Sequence, residues 1–374
     1  MVNFQQCEII TRMIINIERS IKIMIQPIVS YPGSKLRFYK YMVDYFPTNM
    51  KVYLEPFFGG GSVGLSIADD PRFTQLERIV VGDLYTEMWA MWCGVKKDPA
   101  AVEEIATKWF SEKCPTHSIM RANNISRISL VDYLGENENK YLTDDNLTDE
   151  QKAQIAEQLK IYHKGIEEAD AFWKWTQTVD TNSMSLEERA ARMLLVNKVS
   201  FSGMGDSGSL SKDQFCDFRL DKLKPVYETS KLLQRFEINN VSFEETMKVG
   251  LDYNPKDVFC FLDPPYAKQE TSGGGLYGKG GNTHRGFPHE HFAEFTKQMP
   301  YEWFVTYDDS VIVRKLFQGN TYFGKPCKFI PFTIPGGYTM AGNTAEDALA
   351  GEELFILNVY EDDIASDTDE DYDF

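Results

Sequence analysis

The run Val258-Phe-Cys-Phe-Leu-Asp263-Pro264-Pro265-Tyr266 carries the residue types for one kind of chemistry. Its five apolar residues read as a buried strand, and in an open α/β sheet the carboxyl ends of strands face the ligand crevice. The fold itself would therefore deliver Asp263 to a site. Pro264 and Pro265 fix φ and remove two N–H donors, so the carbonyls of Asp263 and Pro264 gain a defined direction and no tendency to continue a ladder. A carboxylate beside an outward carbonyl makes two acceptors. Such a pair suits an exocyclic amine: it holds both N–H donors while the nitrogen lone pair faces an electrophile, and Tyr266 can stack on the ring that bears the amine. The bland alternative is a strand end followed by a turn.

Upstream lies Val52-Tyr-Leu-Glu55-Pro56-Phe57-Phe58-Gly59-Gly60-Gly61-Ser62-Val63-Gly64. Gly59, Gly61 and Gly64 satisfy G-x-G-x-x-G between a strand and a helix, with Asp83 at the end of the next strand, a nucleotide-cofactor fingerprint. Glycines let backbone approach a ligand, and an acid on the second strand accepts from ribose hydroxyls. A carboxylate at Glu55 would repel a pyrophosphate at the helix N-terminus but could face the ammonium or sulfonium of S-adenosylmethionine. In Ser30-Tyr31-Pro32-Gly33-Ser34-Lys35-Leu36-Arg37, the turn leads into a helix opened by Ser34, with Lys35 in its first turn. Helix N-termini already favour anions, so an ammonium there makes sense if both clamp a carboxylate. Taken alone, a solvated lysine and a structural glycine turn are the competing readings.

Elements must hold these pieces. Short apolar runs at 51–54, 79–81, 258–262, 303–307 and 354–360 read as buried parallel strands. Stretches at 35–45, 87–95, 289–298 and 310–317 read as crossover helices, giving a doubly wound, mostly parallel α/β sheet. From about Pro99 to Arg235 the strand pattern stops and the chain turns helical and polar, which marks an inserted second domain. T-x-x-Q at Thr148–Gln151 and S-x-x-E at Ser185–Glu188 each open a helix as capping boxes. The acidic, Asn-rich stretch 135–145 reads as a surface loop.

The chain has 374 residues with 43% hydrophobic and 25% charged, a composition that excludes disordered and collagen-like classes. No apolar run is long enough to span a membrane, and charges at Glu8, Arg12, Glu18, Arg19 and Lys22 interrupt any signal-like centre, so a cytoplasmic protein is expected. Six cysteines without a C-x-x-C pair show no disulfide or zinc framework, and His289 and His291, two apart on a helix, point to different faces, so no metal site is expected. The net charge is −17, and the 14 residues from Glu361 to Phe374 contain eight acids and no base. That balance argues against nucleic-acid binding, because phosphate contacts from Lys and Arg supply most of the affinity. Local field can override net charge over a Debye length of about 8 Å. Arg189, Arg192, Lys198, Lys212, Arg219, Lys222 and Lys224 do concentrate in the insertion, and Lys268, Lys279 and Arg285 flank a glycine-rich stretch, 273–286, that reads as a mobile lid.

Together the three pieces, in this order, resemble the Dam-like (α-class, D-P-P-Y) adenine-N6 DNA methyltransferases. Y-P-G-S-K resembles the family's N-terminal cofactor motif, E-P-F-F-G-G-G-S-V its glycine motif, G-D-L its second-strand acid and D-P-P-Y its catalytic motif. F-P-H-E-H-F-A-E-F, W-F-V-T-Y-D-D-S and E-E-L-F-I-L-N are similar to its closing segments. The resemblance implies a Rossmann-like methyltransferase sheet (24–98 and 236–360) with a helical target-recognition insertion (99–235); residues 1–23 precede it as an N-terminal extension, and 361–374 read as an acidic tail. It implies S-adenosylmethionine as cofactor, contacted by Tyr31, Lys35, Glu55, Phe57, Gly59, Gly61, Asp83, Phe243 and Asp263. It implies a flipped adenine held by Asp263, Pro264, Pro265 and Tyr266, and double-stranded DNA contacted by Asn197, Lys198, Lys212, Arg219, Lys268 and Arg285. Asn197-Lys-Val-Ser-Phe-Ser-Gly-Met204 is similar to the element N-R-x-x-F-N-G-L that leads into a DNA-contacting hairpin, but departs from it at Lys198, Ser202 and Met204, so the target sequence does not carry over. Ser242 stands where relatives often have an acid, and is expected to replace it weakly at the cofactor's adenine. Replacement of Asp263 by alanine is expected to keep the fold and lose most turnover. A protein partner would meet the extension or the tail; the extension's apolar spacing permits a short amphipathic helix. A silent nucleic-acid- or protein-binding relative, a nicotinamide-dependent oxidoreductase, and methylation of cytosine N4 or of RNA adenine remain the alternatives.

Overall fold

A computed structural model describes residues 26–31, 33–135, 138–266, 286–333 and 352–358. The extension, the tail, Lys268, Lys279, Arg285 and nearly all of the glycine-rich stretch lie outside the described residues. The fully apolar runs form the central strands: β1 (Val52–Glu55), β2 (Arg78–Gly82), β4 (Val258–Leu262) and β5 (Glu302–Asp308). With β3 (Phe236–Asn239), β6 (Lys328–Thr333) and β7 (Glu352–Leu357) they make one sheet in the order β3-β2-β1-β4-β5-β7-β6. Pairing is parallel from β3 through β5; β7 is antiparallel to both β5 and β6.

Three differences from the sequence reading have physical causes. β3 and β6 were not foreseen because they are the sheet's edges, only partly buried, and lack a continuous buried apolar run. β7 was expected to be parallel; strand direction is set by pairing, which an apolar run does not encode. The stretch 35–45 forms three successive short turns (Lys35–Arg37, Tyr39–Met42, Val43–Tyr45) instead of one crossover helix.

Strand order turns back between β1 and β4, and a doubly wound sheet places its ligand crevice at such a switch point. Helix α1 (Ser62–Asp69) follows β1 and α2 (Thr86–Lys97) follows β2. The insertion supplies α3 (Pro99–Lys113), α4 (Pro115–Ala122), α5 (Asp149–Thr178), α6 (Leu186–Val199), α7 (Lys212–Asp217) and α8 (Val226–Leu233). Both expected capping boxes form, at Thr148 and Ser185. On the other sheet face lie α9 (Phe243–Lys248), α10 (His289–Lys297) and α11 (Val311–Leu316).

Alternation along the strands sends Tyr53, Phe259, Phe261, Phe304 and Phe355 to one apolar cluster, and Leu54, Cys260, Leu262, Val305 and Ile356 to a second. The first cluster runs unbroken through Met91, Phe110, Met120 and Phe172, so the inserted helices share their core with the sheet. Helices α2 and α6 touch backbone to backbone at Gly94, where a Cβ would stand 2.3 Å from the Leu186 carbonyl oxygen. A buried Arg192–Asp206 pair at 2.6 Å, joined by the Tyr85 hydroxyl, ties α6 to the loop after it.

Candidate active site

Asp263 ends β4 at the crevice edge with its side chain 23% exposed. Period-2 alternation places Asp263, Thr306 of β5 and Glu353 of β7 on the face that carries Phe261, Phe304 and Phe355. Lys35 lies on that face too, 3% exposed, its ammonium 2.9 Å from Asp263 Oδ1 and 3.0 Å from Oδ2. It also donates to the Gly33 carbonyl at 2.9 Å. The Thr306 hydroxyl donates to Asp263 Oδ1 at 2.7 Å. A carboxylate offers about four lone-pair sites; among the described residues three are engaged, which leaves Oδ2 able to accept one more donor. The carboxylate is thus fixed in rotation yet still receptive.

Burial by itself would push the Lys35 ammonium down, but Asp263 and then Glu353 outweigh it and hold it above the ordinary lysine value. Lys35 is therefore a cation at the floor of the crevice. In this structure its charge is engaged by Asp263, a partner the sequence reading did not assign to it. Tyr266 follows the prolines with its hydroxyl donating to Glu353 Oε2 at 2.6 Å, its ring 5.0 Å from the Lys35 ammonium and 5.6 Å from the Tyr307 ring. His289 Nδ1 in turn meets the Tyr307 hydroxyl, and His291 Nε2 pairs with Glu244 at 3.0 Å.

The glycine turn after β1 is held from several sides. Gly59 N–H donates to Asp83 Oδ2 at 2.8 Å and Gly59 C=O accepts from Trp92 Nε1 at 2.9 Å. Gly61, at φ +69°, precedes α1. The space beside Gly59 and Gly60 belongs to Tyr31, whose atoms a Cβ would approach to 2.8 and 2.6 Å. Asp83 takes a second bond from Tyr85 N–H at 2.8 Å; burial nevertheless pushes its carboxyl up to about 6. Phe57, half-buried, stacks with Phe243 at 5.8 Å and meets Phe287 and Phe292 edge-on at 5.7 Å. An acid able to accept from ribose hydroxyls and aromatic rings able to meet a base are thus the residue types present after β2 and β1.

Glu55 requires a correction. It is 2% exposed, accepts from the Tyr53 hydroxyl at 2.9 Å, and lies under the glycine turn, where Gly64 leaves room for its Oε2. Burial holds its carboxyl well above the usual range. It faces inward because its strand position shares the Tyr53 face, and burial disfavours its charged form. Ser242, expected near an adenine, caps α9 in a capping box with Glu245.

Of the residues assigned to DNA, Asn197 is also corrected. At 3% exposure its amide accepts from Ser30 N–H (2.9 Å) and donates to the carbonyls of Ser30 and Gly203 (2.7 Å each), pinning the segment before Tyr31 to α6. Two arginines counted in the basic concentration are likewise internal, Arg189 paired with Glu87 and Arg192 with Asp206. Lys212, Lys222 and Lys224 are exposed, Arg219 is exposed and paired with Asp221, and Lys198 is half-buried. Burial, then Lys222, lowers the Lys198 ammonium to about 8.

Thr306 and Glu353 were missed. Each left a signal: Thr306 is the polar position inside Trp-Phe-Val-Thr-Tyr, and Glu353 opens an apolar run. Neither signal says what the side chain meets.

The family model described as D12 class N6 adenine-specific DNA methyltransferase matches residues 31–325. No curated protein matches the chain.

Proposed function

From the chain's membership in the D12 class of N6 adenine-specific DNA methyltransferases, we propose how its residues divide the work of methylating adenine N6 in DNA. Asp263 Oδ2 and the Pro264 carbonyl accept the two N–H bonds of the amine of a flipped adenine, and Tyr266 stacks on its ring. The adenine amine is a weak nucleophile because its lone pair is delocalised. Hydrogen bonds that strengthen as the nitrogen becomes cationic draw it toward tetrahedral geometry, and they act most in the transition state. Lys35 and Thr306 fix the carboxylate, so little reorganisation is left for the reaction. Pro265 keeps the backbone extended.

The methyl donor we propose is S-adenosylmethionine, which supplies an electrophilic carbon on sulfur when bound. Asp83 would hold its ribose hydroxyls, Phe57 and Phe243 its adenine face, and the Gly59–Gly61 turn, backed by Tyr31, the intervening atoms. The domain division is 24–98 with 236–360 for catalysis and 99–235 for target recognition. Lys198, Lys212, Arg219, Lys222 and Lys224 contact phosphates from the insertion. Among the described residues no helix is long and apolar enough to cross a membrane, and we place the protein in the cytoplasm.

One observation carries this reading: at the tip of β4 the carboxylate is oriented by Lys35 and Thr306 with one acceptor site left over, beside an aromatic ring. Labelled methyl transfer from S-adenosylmethionine to mixed-sequence duplex DNA, followed by base mapping, tests it. Label is expected on adenine N6, with Asp263→Asn about 10²-fold slower or worse. Label on cytosine, transfer preferring RNA, or undiminished turnover in Asp263→Asn would each overturn it.

A further inference from the structure

The antiparallel direction of β7 has a geometric consequence. Parallel strands present their last residues to the crevice; an antiparallel strand presents its first. Glu353, second in β7, pairs in register with Asp308 at the end of β5, so it arrives at the same edge as Asp263. It is 1% exposed, and its Oε2 takes the Tyr266 hydroxyl at 2.6 Å. Tyr266 is thereby fixed at three points: the hydroxyl by Glu353, one contact by the Lys35 ammonium at 5.0 Å, another by Tyr307 at 5.6 Å. Burying a carboxylate is costly unless it is paired, and among its partners here is the Tyr266 hydroxyl, with the Lys35 ammonium acting on it electrostatically. β7 also lies beyond residues 31–325, the segment the family match covers.

We propose that Glu353 is a positioning residue for Tyr266, holding the phenol ring in the plane on which the flipped base stacks, so that β7 supplies a part of the active site from outside the family-matched segment. The proposal rests on the reading of Tyr266 as the base platform. Pre-orientation removes the ordering cost that the ring would otherwise meet when the base arrives, so its loss shows in apparent DNA affinity.

The test is labelled methyl transfer on mixed-sequence duplex DNA with Tyr266→Phe, Tyr266→Ala, Glu353→Leu, Glu353→Gln and the Tyr266→Phe/Glu353→Leu double variant, each checked by thermal unfolding. Tyr266→Phe and Glu353→Leu are each expected to raise the apparent KM for DNA about tenfold, the scale of one hydrogen bond to a charged group. The double variant should be no worse than either single, and Glu353→Gln, which keeps an acceptor oxygen, should recover most of the loss. A merely structural role would lower the folded fraction and the maximal rate while leaving KM in place. Should Glu353→Leu fail to fold, Tyr266→Phe and Glu353→Gln still decide. Wild-type KM in Tyr266→Phe with a large loss in Tyr266→Ala overturns the role of Glu353 and keeps the platform. Wild-type KM in both overturns the platform itself. Additive losses in the double variant also refute the coupling.

Discussion

Lys35 and Asp263 are joined across 228 positions of sequence, and removing the acid leaves an ammonium buried at 3% exposure. Breaking one side of a fully buried pair costs about 3–5 kcal/mol. Asp263 is 23% exposed, and the Gly33 carbonyl and Glu353 stay near the cation, so we expect about 2–3 kcal/mol for Asp263→Ala. In a chain of this length that corresponds to a fall in Tm of roughly 2.5–4 °C. The sequence-based expectation of an intact fold is thereby sharpened into a folded but measurably weaker protein. Lys35→Met removes the stranded charge, so Lys35→Met/Asp263→Ala should be more stable than Asp263→Ala, a non-additivity of at least about 1 kcal/mol. Thermal unfolding of the four proteins by circular dichroism gives the cycle, and labelled methyl transfer on the same samples separates stability from catalysis. Both variants that lack Asp263 should be nearly inactive. Strict additivity in Tm would refute the buried pair, and substantial turnover without Asp263 would refute its catalytic role.

Helix propensity alone favours Gly94→Ala by about 1 kcal/mol, but the new Cβ would meet the Leu186 carbonyl at 2.3 Å and Ala190 Cβ at 2.7 Å. We expect overpacking of about 1–3 kcal/mol to prevail and Tm to fall; a higher Tm would contradict the contact between α2 and α6. The Lys198 ammonium, lowered to about 8 by burial and by Lys222, is charged below that pH and neutral above it. DNA affinity at fixed low salt should therefore fall as pH rises from about 7 to about 9, and Lys198→Arg should remove that dependence; an unchanged pH profile in the variant would exclude Lys198 from the phosphate contacts. Because the folded value lies below the unfolded 10.5, the same group makes the protein gain stability as pH rises from about 8 toward 10.5.

The sequence by itself determined what is local. An apolar run of three marked β2 and one of five marked β4, capping boxes at Thr148 and Ser185 marked the starts of α5 and α6, and D-P-P-Y at the end of an apolar strand marked the residues we propose as the reacting centre. These depend on periodicity and on hydrogen bonds three residues apart, which any reader of the chain can count. Tertiary structure decided which groups meet. Lys35 took Asp263 as partner, Glu55 turned under the glycine turn to meet the Tyr53 hydroxyl, Asn197 became an internal brace, and β7 ran backward to bring Glu353 to Tyr266. Each of these outcomes depends on strand order, register or direction, and those are fixed by the packing of the whole sheet rather than by the residues on either side.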